Sequence, residues 1–97
     1  MSEKMYVVVR TDLPPNHRAV QGGHALAAVL LGGTTEWDNG PLVILGAKNE
    51  GQLLKESARL GAAGIRHAIW REPDMNNEAT AIAAYAAGEV FRRRQCI

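Results

Sequence analysis

Two short polar clusters hold most of the side chains in this 97-residue chain that could do chemistry. The first runs from Arg10, Thr11 and Asp12 through two prolines to His17, Arg18, Gln21 and His24. The second is Glu72-Pro73-Asp74-Met75-Asn76-Asn77-Glu78, followed closely by Thr80. Both mix carboxylates with amide, imidazole or hydroxyl groups, the types that hold a ligand or exchange a proton with it. The first cluster follows an apolar run and the second precedes one. Ligands of α/β sheets bind outside strand ends, so the expectation is that the two clusters face each other across one site.

The elements that must position them can be read from pattern. Met5 to Val9 is a continuous valine-rich run, suited to a strand buried on both faces. Pro14-Pro15 stops it, and Asn16 stands where it could cap a helix reaching about Leu31. Along that helix Val20, Ala27 and Leu31, with His24 between them, recur at helical spacing. Gly22-Gly23 weakens it by roughly 1 kcal/mol per residue relative to alanine, which makes sense if a backbone or a ligand approaches closely there. Gly32-Gly33-Thr34-Thr35 ends the helix, and Glu36 to Pro41 is turn chemistry.

Leu42 to Leu45 reads as a second strand, again apolar without alternation. Asn49 caps a second helix running to about Leu60, with Glu50 in its first turn and Leu53, Leu54 and Ala58 on its packed face. Gly61 and Gly64 end it. Ile65, His67 and Ile69 alternate with Arg66, Ala68 and Trp70, which predicts a third, less enclosed strand. A loop from Glu72 to Glu78 leads to a fourth strand from Ala79 to Tyr85, and Gly88 to Arg94 forms a short final helix.

This order predicts one α/β domain over residues 1–97, a three-layer α/β/α sandwich with a four-stranded mixed sheet. Two βα crossovers make the first three strands parallel. The short third connection turns the last strand antiparallel beside strand three. The small residues Ala79, Ala81, Ala83 and Ala84 put that strand inside the sheet, where helices can approach both faces.

Composition narrows the class. An apolar content of 46% suits a soluble globular domain, and a net charge of +1 neither requires nor forbids a nucleic-acid partner. Arg92-Arg93-Arg94 is the main basic run, read as compensation of a helix dipole rather than a phosphate contact. The single cysteine, Cys96, allows no intrachain disulfide, so a reducing cytoplasmic setting is expected and Cys96 itself is incidental. No CxxC or HxxxH spacing points to a structural metal, and no cofactor is expected. The first ten residues do not look like a secretory leader, and no apolar stretch nears the ~20 residues that span a bilayer. A homodimer is compatible with the sequence, though no exposed apolar helix face marks an interface.

Val9-Arg10-x-Asp12-Leu13 followed by Ala19-Val20-Gln21-x-x-His24-Ala25 resembles the type II (archaeal and eukaryotic type) peptidyl-tRNA hydrolases. The segment Ile65 to Tyr85, with Arg71-Glu72-Pro73-Asp74 before Thr80-Ala81-Ile82-Ala83, is similar to short bacterial or phage-like members. The resemblance implies a metal-independent hydrolase that cuts the ester between a peptide's C-terminal carboxyl and the 3′ ribose of tRNA. The acceptor end of peptidyl-tRNA is then the partner. By position, the family's lysine is replaced by His17, with Arg18 beside it. Its aspartate falls at Glu72 or Asp74, and its threonine at Thr80. Asn76 and Asn77 occupy the region of a second threonine. With these assignments Glu72 or Asp74 handles the attacking water, His17 or Arg18 the oxyanion or a phosphate, and Thr80 fixes the water or the carboxylate through its hydroxyl. Arg10, Asp12, Gln21 and His24 complete the substrate-binding set. Histidine carries a positive charge less dependably than lysine at neutral pH, so His17 would donate to a phosphate or an oxyanion only when protonated or suitably tautomerised.

Each residue also has a plainer role. Asp12 could form only an Asx turn, His24 could be a core histidine, and Gln21 could pack on the fourth strand. Glu72 and Asp74 could be solvated loop carboxylates, Thr80 a β-branched strand residue, and Trp37 and Trp70 packing residues rather than stacking platforms. Two rival functions follow: an inactive homologue that binds RNA or protein, and a small-molecule-binding α/β domain.

Overall fold

The computed structural model describes residues 3–33 and 36–91. The elements are β1 (Glu3–Arg10), α1 (Pro15–Leu31), β2 (Leu42–Ala47), α2 (Glu50–Ala62), β3 (Ala68–Glu72) and β4 (Glu78–Ala87), with single 3-10 turns at Pro73–Met75 and Gly88–Phe91. Thr34, Thr35, the Arg92-Arg93-Arg94 run, Cys96 and the end of the expected final helix lie outside the described residues.

The four strands form one mixed sheet in the order β2-β1-β4-β3. Only β1 and β2 pair in parallel; β4 is antiparallel to both its neighbours, β1 and β3. β1, β2 and β3 thus run in one direction and β4 against them, as expected, but only β1 and β2 are paired in parallel. The β2–α2–β3 connection carries the chain past β1 and β4 to the far edge, so β3 pairs with β4 alone. β4 does lie inside the sheet, and Ala79, Ala81, Ala83, Ala84 and Ala86 are all buried along it.

The pleat explains the core. Met5, Val7 and Val9 point to one face, where they cluster with Ala25 and Val29 of α1 and with Ala81 and Ala83. Tyr6 and Val8 point to the other, packing with Leu53 and Leu60 of α2, Leu45, Ile82 and Phe91. The valine run is thus buried on both sides, as a central strand requires.

Local signals hold with three exceptions. Asn49 caps α2, its side-chain oxygen accepting from the backbone N–H of Gln52 at 3.0 Å. Asn16 caps nothing: α1 starts at Pro15, and no side chain caps it. Proline in a first turn loses no needed N–H and already has helical φ, so it displaces the cap. The third strand starts at Ala68 rather than Ile65. Residues 65–67 are instead tied to α2: Ile65 N–H donates to Leu60 O, and His67 bridges Ser57 Oγ (2.7 Å) and Ile65 O (3.0 Å). β2 also differs from its apolar pattern, because it is an edge strand with Leu42 and Ile44 exposed.

Candidate functional site

β1 and β3 end, and β4 begins, on the same side of the sheet, so the two polar clusters meet there. Two arginines organise the first. Arg10 is buried at the end of β1, and its guanidinium grips Asp12 with two parallel bonds, Nε to Oδ1 (3.0 Å) and Nη2 to Oδ2 (2.8 Å). Its Nη1 donates to Glu78 Oε1 (2.7 Å) and to Ala79 O (3.1 Å), which ties the end of β1 to the start of β4. The paired guanidinium holds the Asp12 carboxyl below its ordinary range and makes Arg10 still harder to deprotonate. Arg18 reaches back from α1 and donates to Leu13 O (2.6 Å) and Thr11 O (2.8 Å). Both side chains brace the β1–α1 loop.

A second arrangement runs from helix to sheet. Thr80, fully buried on β4, donates its hydroxyl to Gln21 Oε1 at 2.7 Å. Gln21 Nε2 donates in turn to Glu72 Oε1 at 2.9 Å. The other carboxylate oxygen of Glu72 accepts from the backbone N–H of Asp74 at 3.2 Å. The hydroxyl orients the amide, and the amide orients the carboxylate. The Gln21 bond first, and the Asp74 N–H second, hold the Glu72 carboxyl below its ordinary range. Trp70 adds to this: its indole N–H is buried without a hydrogen-bond partner, yet lies near enough to favour the Glu72 charge.

His17, Gln21 and His24 share one flank of α1 by helical spacing. His24 is exposed rather than in the core, and its ring stacks on Trp70 with centroids 4.4 Å apart and planes 14° from parallel. His17 lies one turn before Gln21, exposed at the amino end of the helix. Of the loop residues, Asp74 brings its backbone N–H to the carboxylate. Asn76 and Asn77 are exposed and left-handed (φ 54° and 59°), conformations asparagine tolerates better than most residues. They reverse the chain, and Asn77 N–H closes the turn on Glu72 O at 3.0 Å.

Three participants escape a reading of the sequence. Trp70 looks like packing, Glu78 like a solvated charge, and Glu50 like a dipole partner. Yet Glu50 Oε2 accepts from Ala79 N–H at 2.8 Å and so fixes the start of β4. Only Arg10-x-Asp12 carried a signal, since residues two apart at a strand end point the same way. Among the described residues, no group of three or more His, Cys, Asp or Glu could hold a metal ion. None of the described helices is long and apolar enough to cross a membrane.

The fold is shared with a solved protein of unknown function from Agrobacterium tumefaciens str. C58. The match covers 100% of this chain and 98% of that one, with a TM-score of 0.75 and 15% identity, a likeness that speaks to the fold alone. No curated protein matches. The model of the family described as peptidyl-tRNA hydrolase PTH2 matches residues 3–87, which takes in all four strands, both helices and both polar clusters. The chain belongs to the peptidyl-tRNA hydrolase PTH2 family.

Proposed function

We propose that the protein hydrolyses the ester joining a peptide's C-terminal carboxyl to the 3′ ribose of tRNA. The observation that carries this reading is the Thr80–Gln21–Glu72 relay, which presents one oriented carboxylate at the rim where the family's motif residues meet. Glu72 keeps its charge at neutral pH and has only neutral hydrogen-bond partners, so it can hold a water against the ester carbonyl and draw off its proton as attack proceeds. Asp74 is the weaker choice for this role, because its part in the relay is its backbone N–H.

The tetrahedral oxyanion needs donors. His17, at the amino end of α1, takes that role or binds the terminal phosphate, aided by the partial positive charge of an uncapped helix start. Arg18 is less suited, since two of its nitrogens already serve Leu13 and Thr11. His24 on Trp70 and the amides of Asn76 and Asn77 flank the rim, where they can contact the substrate. Arg10 and Asp12 act at one remove by holding the loop.

Incubating the protein with N-blocked aminoacyl-tRNA tests this. The expected result is release of the blocked amino acid, lost in Glu72→Gln and reduced in His17→Ala. A His17→Lys variant should turn over faster than the native chain, because it restores a fixed cation at that place. Binding of tRNA without cleavage would instead favour an inactive homologue, and neither binding nor cleavage would overturn the reading.

A further inference from the structure

The ring pairs on the two faces of the sheet are arranged differently. Tyr6 and Phe91, on the α2 side, are buried in the core with their planes 31° apart. His24 and Trp70, on the α1 side, lie almost flat on each other, 14° from parallel with centroids 4.4 Å apart. Trp70 is half-buried and packed against the cluster of Val7, Val9 and Ala25, while His24 is exposed. The indole is thus anchored, and the imidazole forms an outer layer open to solvent. A flat, anchored π-system with an open ring face is the form in which proteins offer an unpaired base a place to stack.

The position of the pair says which base. Gln21 meets Glu72 at the rim, and His24 meets Trp70 one step below. That step is three residues along the helix, about 4.5 Å, and two residues along the strand, about 6.5 Å. His17 stands one turn above Gln21, so the order along this flank is His17, then Gln21 with Glu72, then His24 with Trp70. An ester carbonyl held between His17 and Glu72 turns its alcohol side towards His24. That alcohol is a ribose, and the base on the same ribose lies a comparable distance from the ester oxygen. Val20, 55% exposed and one turn before His24, adds an apolar edge on the same side. Resting on the hydrolase reading of Glu72, we infer that the outer face of His24 stacks on the base of the 3′-terminal nucleoside of tRNA. Base, imidazole and indole then form three layers that hold the leaving group in place. The wider face of a purine, such as the terminal adenine, covers the imidazole better than a pyrimidine does. An ester without a base lacks this hold altogether.

Two measurements on the full chain test this, one of them independent of turnover. In an NMR titration with the unesterified trinucleotide CCA, the adenine ring protons and those of His24 should move upfield together. The same trinucleotide with an abasic 3′ residue should bind about 10-fold more weakly. His24→Ala should remove that difference, and His24→Phe, which keeps a flat ring, should restore it, with circular dichroism showing both variants folded. In the second measurement, the N-acetylalanyl esters of adenosine and of 1-deoxyribose should differ about 10-fold in KM. That ratio should fall to near one in His24→Ala and recover in His24→Phe. Binding of the trinucleotide that ignores its terminal base, or none up to about 10 mM, overturns the inference. So does a His24→Phe variant that behaves like His24→Ala. Cleavage of both esters without preference leaves the hydrolase reading standing and sinks the stacking. Stacking of the trinucleotide on His24 with neither ester cleaved does the opposite: the base site stands and the hydrolase reading fails.

Discussion

Glu72 and the pair Asp12–Glu78 are carboxylates at the same end of the same sheet, held in opposite ways. Asp12 and Glu78 share one buried guanidinium, so their charges are spent where they stand. Glu72 is held by an amide and a backbone N–H, which fix its direction without neutralising it. A carboxylate oriented by neutral donors keeps its charge for a substrate or a water, whereas one clamped by arginine mainly holds chain segments together. The contrast separates the chemistry of the rim from its scaffold.

Swapping the losses breaks the comparison most directly. Glu72→Gln removes the free charge and little else, so kcat/KM on N-blocked aminoacyl-tRNA should fall by on the order of 10²–10³-fold with the melting temperature almost unchanged. Arg10→Met does the reverse. It leaves Asp12, Glu78 and Ala79 O without their donor and should cost about 2–3 kcal/mol, the lower part of the range for a buried pair because both carboxylates are partly exposed. Melting would then drop by on the order of 10 °C, while the remaining folded protein keeps most of its turnover. If Glu72→Gln proved the unstable variant and Arg10→Met the inactive one, the two roles would be reversed.

Thr80→Val sharpens the account of Glu72 by acting two bonds away. It preserves shape but leaves the buried Gln21 Oε1 without a donor, at a cost of about 1–2 kcal/mol. The amide is then free to turn, and the carboxylate loses its fixed direction. A drop in kcat of roughly 10-fold with KM little changed is the expected signature of a residue that orients rather than binds. Equal changes in both constants would argue against a positioning role.

Acid should distinguish the clusters too. Asp12 has its carboxyl lowered in the folded chain by Arg10, so the stability it contributes is present above the ordinary aspartate value near 4 and is lost as pH falls through the folded value. The native protein should therefore lose melting temperature on acidification more steeply than Arg10→Met, in which that lowering is gone. Parallel curves would mean that the guanidinium contributes no pH-dependent stability.

How much of this was legible in the chain depends on the range of each signal. The valine run of β1 and the Asn49 cap are local, and both were readable. The meeting of the two clusters was readable as well, because strands of an α/β unit end on predictable sides. Strand order was not: whether β3 lies beside β2 or across the sheet depends on pairing between distant segments. Which of Glu72 and Asp74 pairs with Gln21 was hidden for a smaller reason. The register shift after Trp70 and the 3-10 turn at Pro73–Met75 set the phase of that loop, and neither has a spacing signature. Arg18 reads in the sequence as an available cation, whereas its side chain folds back onto two carbonyls, a contact that no spacing announces.

The glycine pair in α1 gives the smallest and most local test. The pattern suggested a close approach by a backbone or a ligand at both positions. At Gly22 the neighbours are valine side chains: a Cβ there would lie 3.1 Å from Val9 Cγ1 and 3.3 Å from Val7 Cγ1. At Gly23 nothing lies within 4 Å. Gly23→Ala should therefore keep the whole helix-propensity gain, about 0.8–1 kcal/mol, and raise the melting temperature by a few degrees. Gly22→Ala has the same propensity gain but crowds two stiff, buried valines that cannot rotate away without disturbing the core. It should be less stable than Gly23→Ala by about 1 kcal/mol or more, measured by urea unfolding of both. Equal stabilisation would mean that the β1 valines yield easily, and that the packing of α1 on the sheet does not hold the helix and its polar flank as firmly as the relay to Glu72 requires.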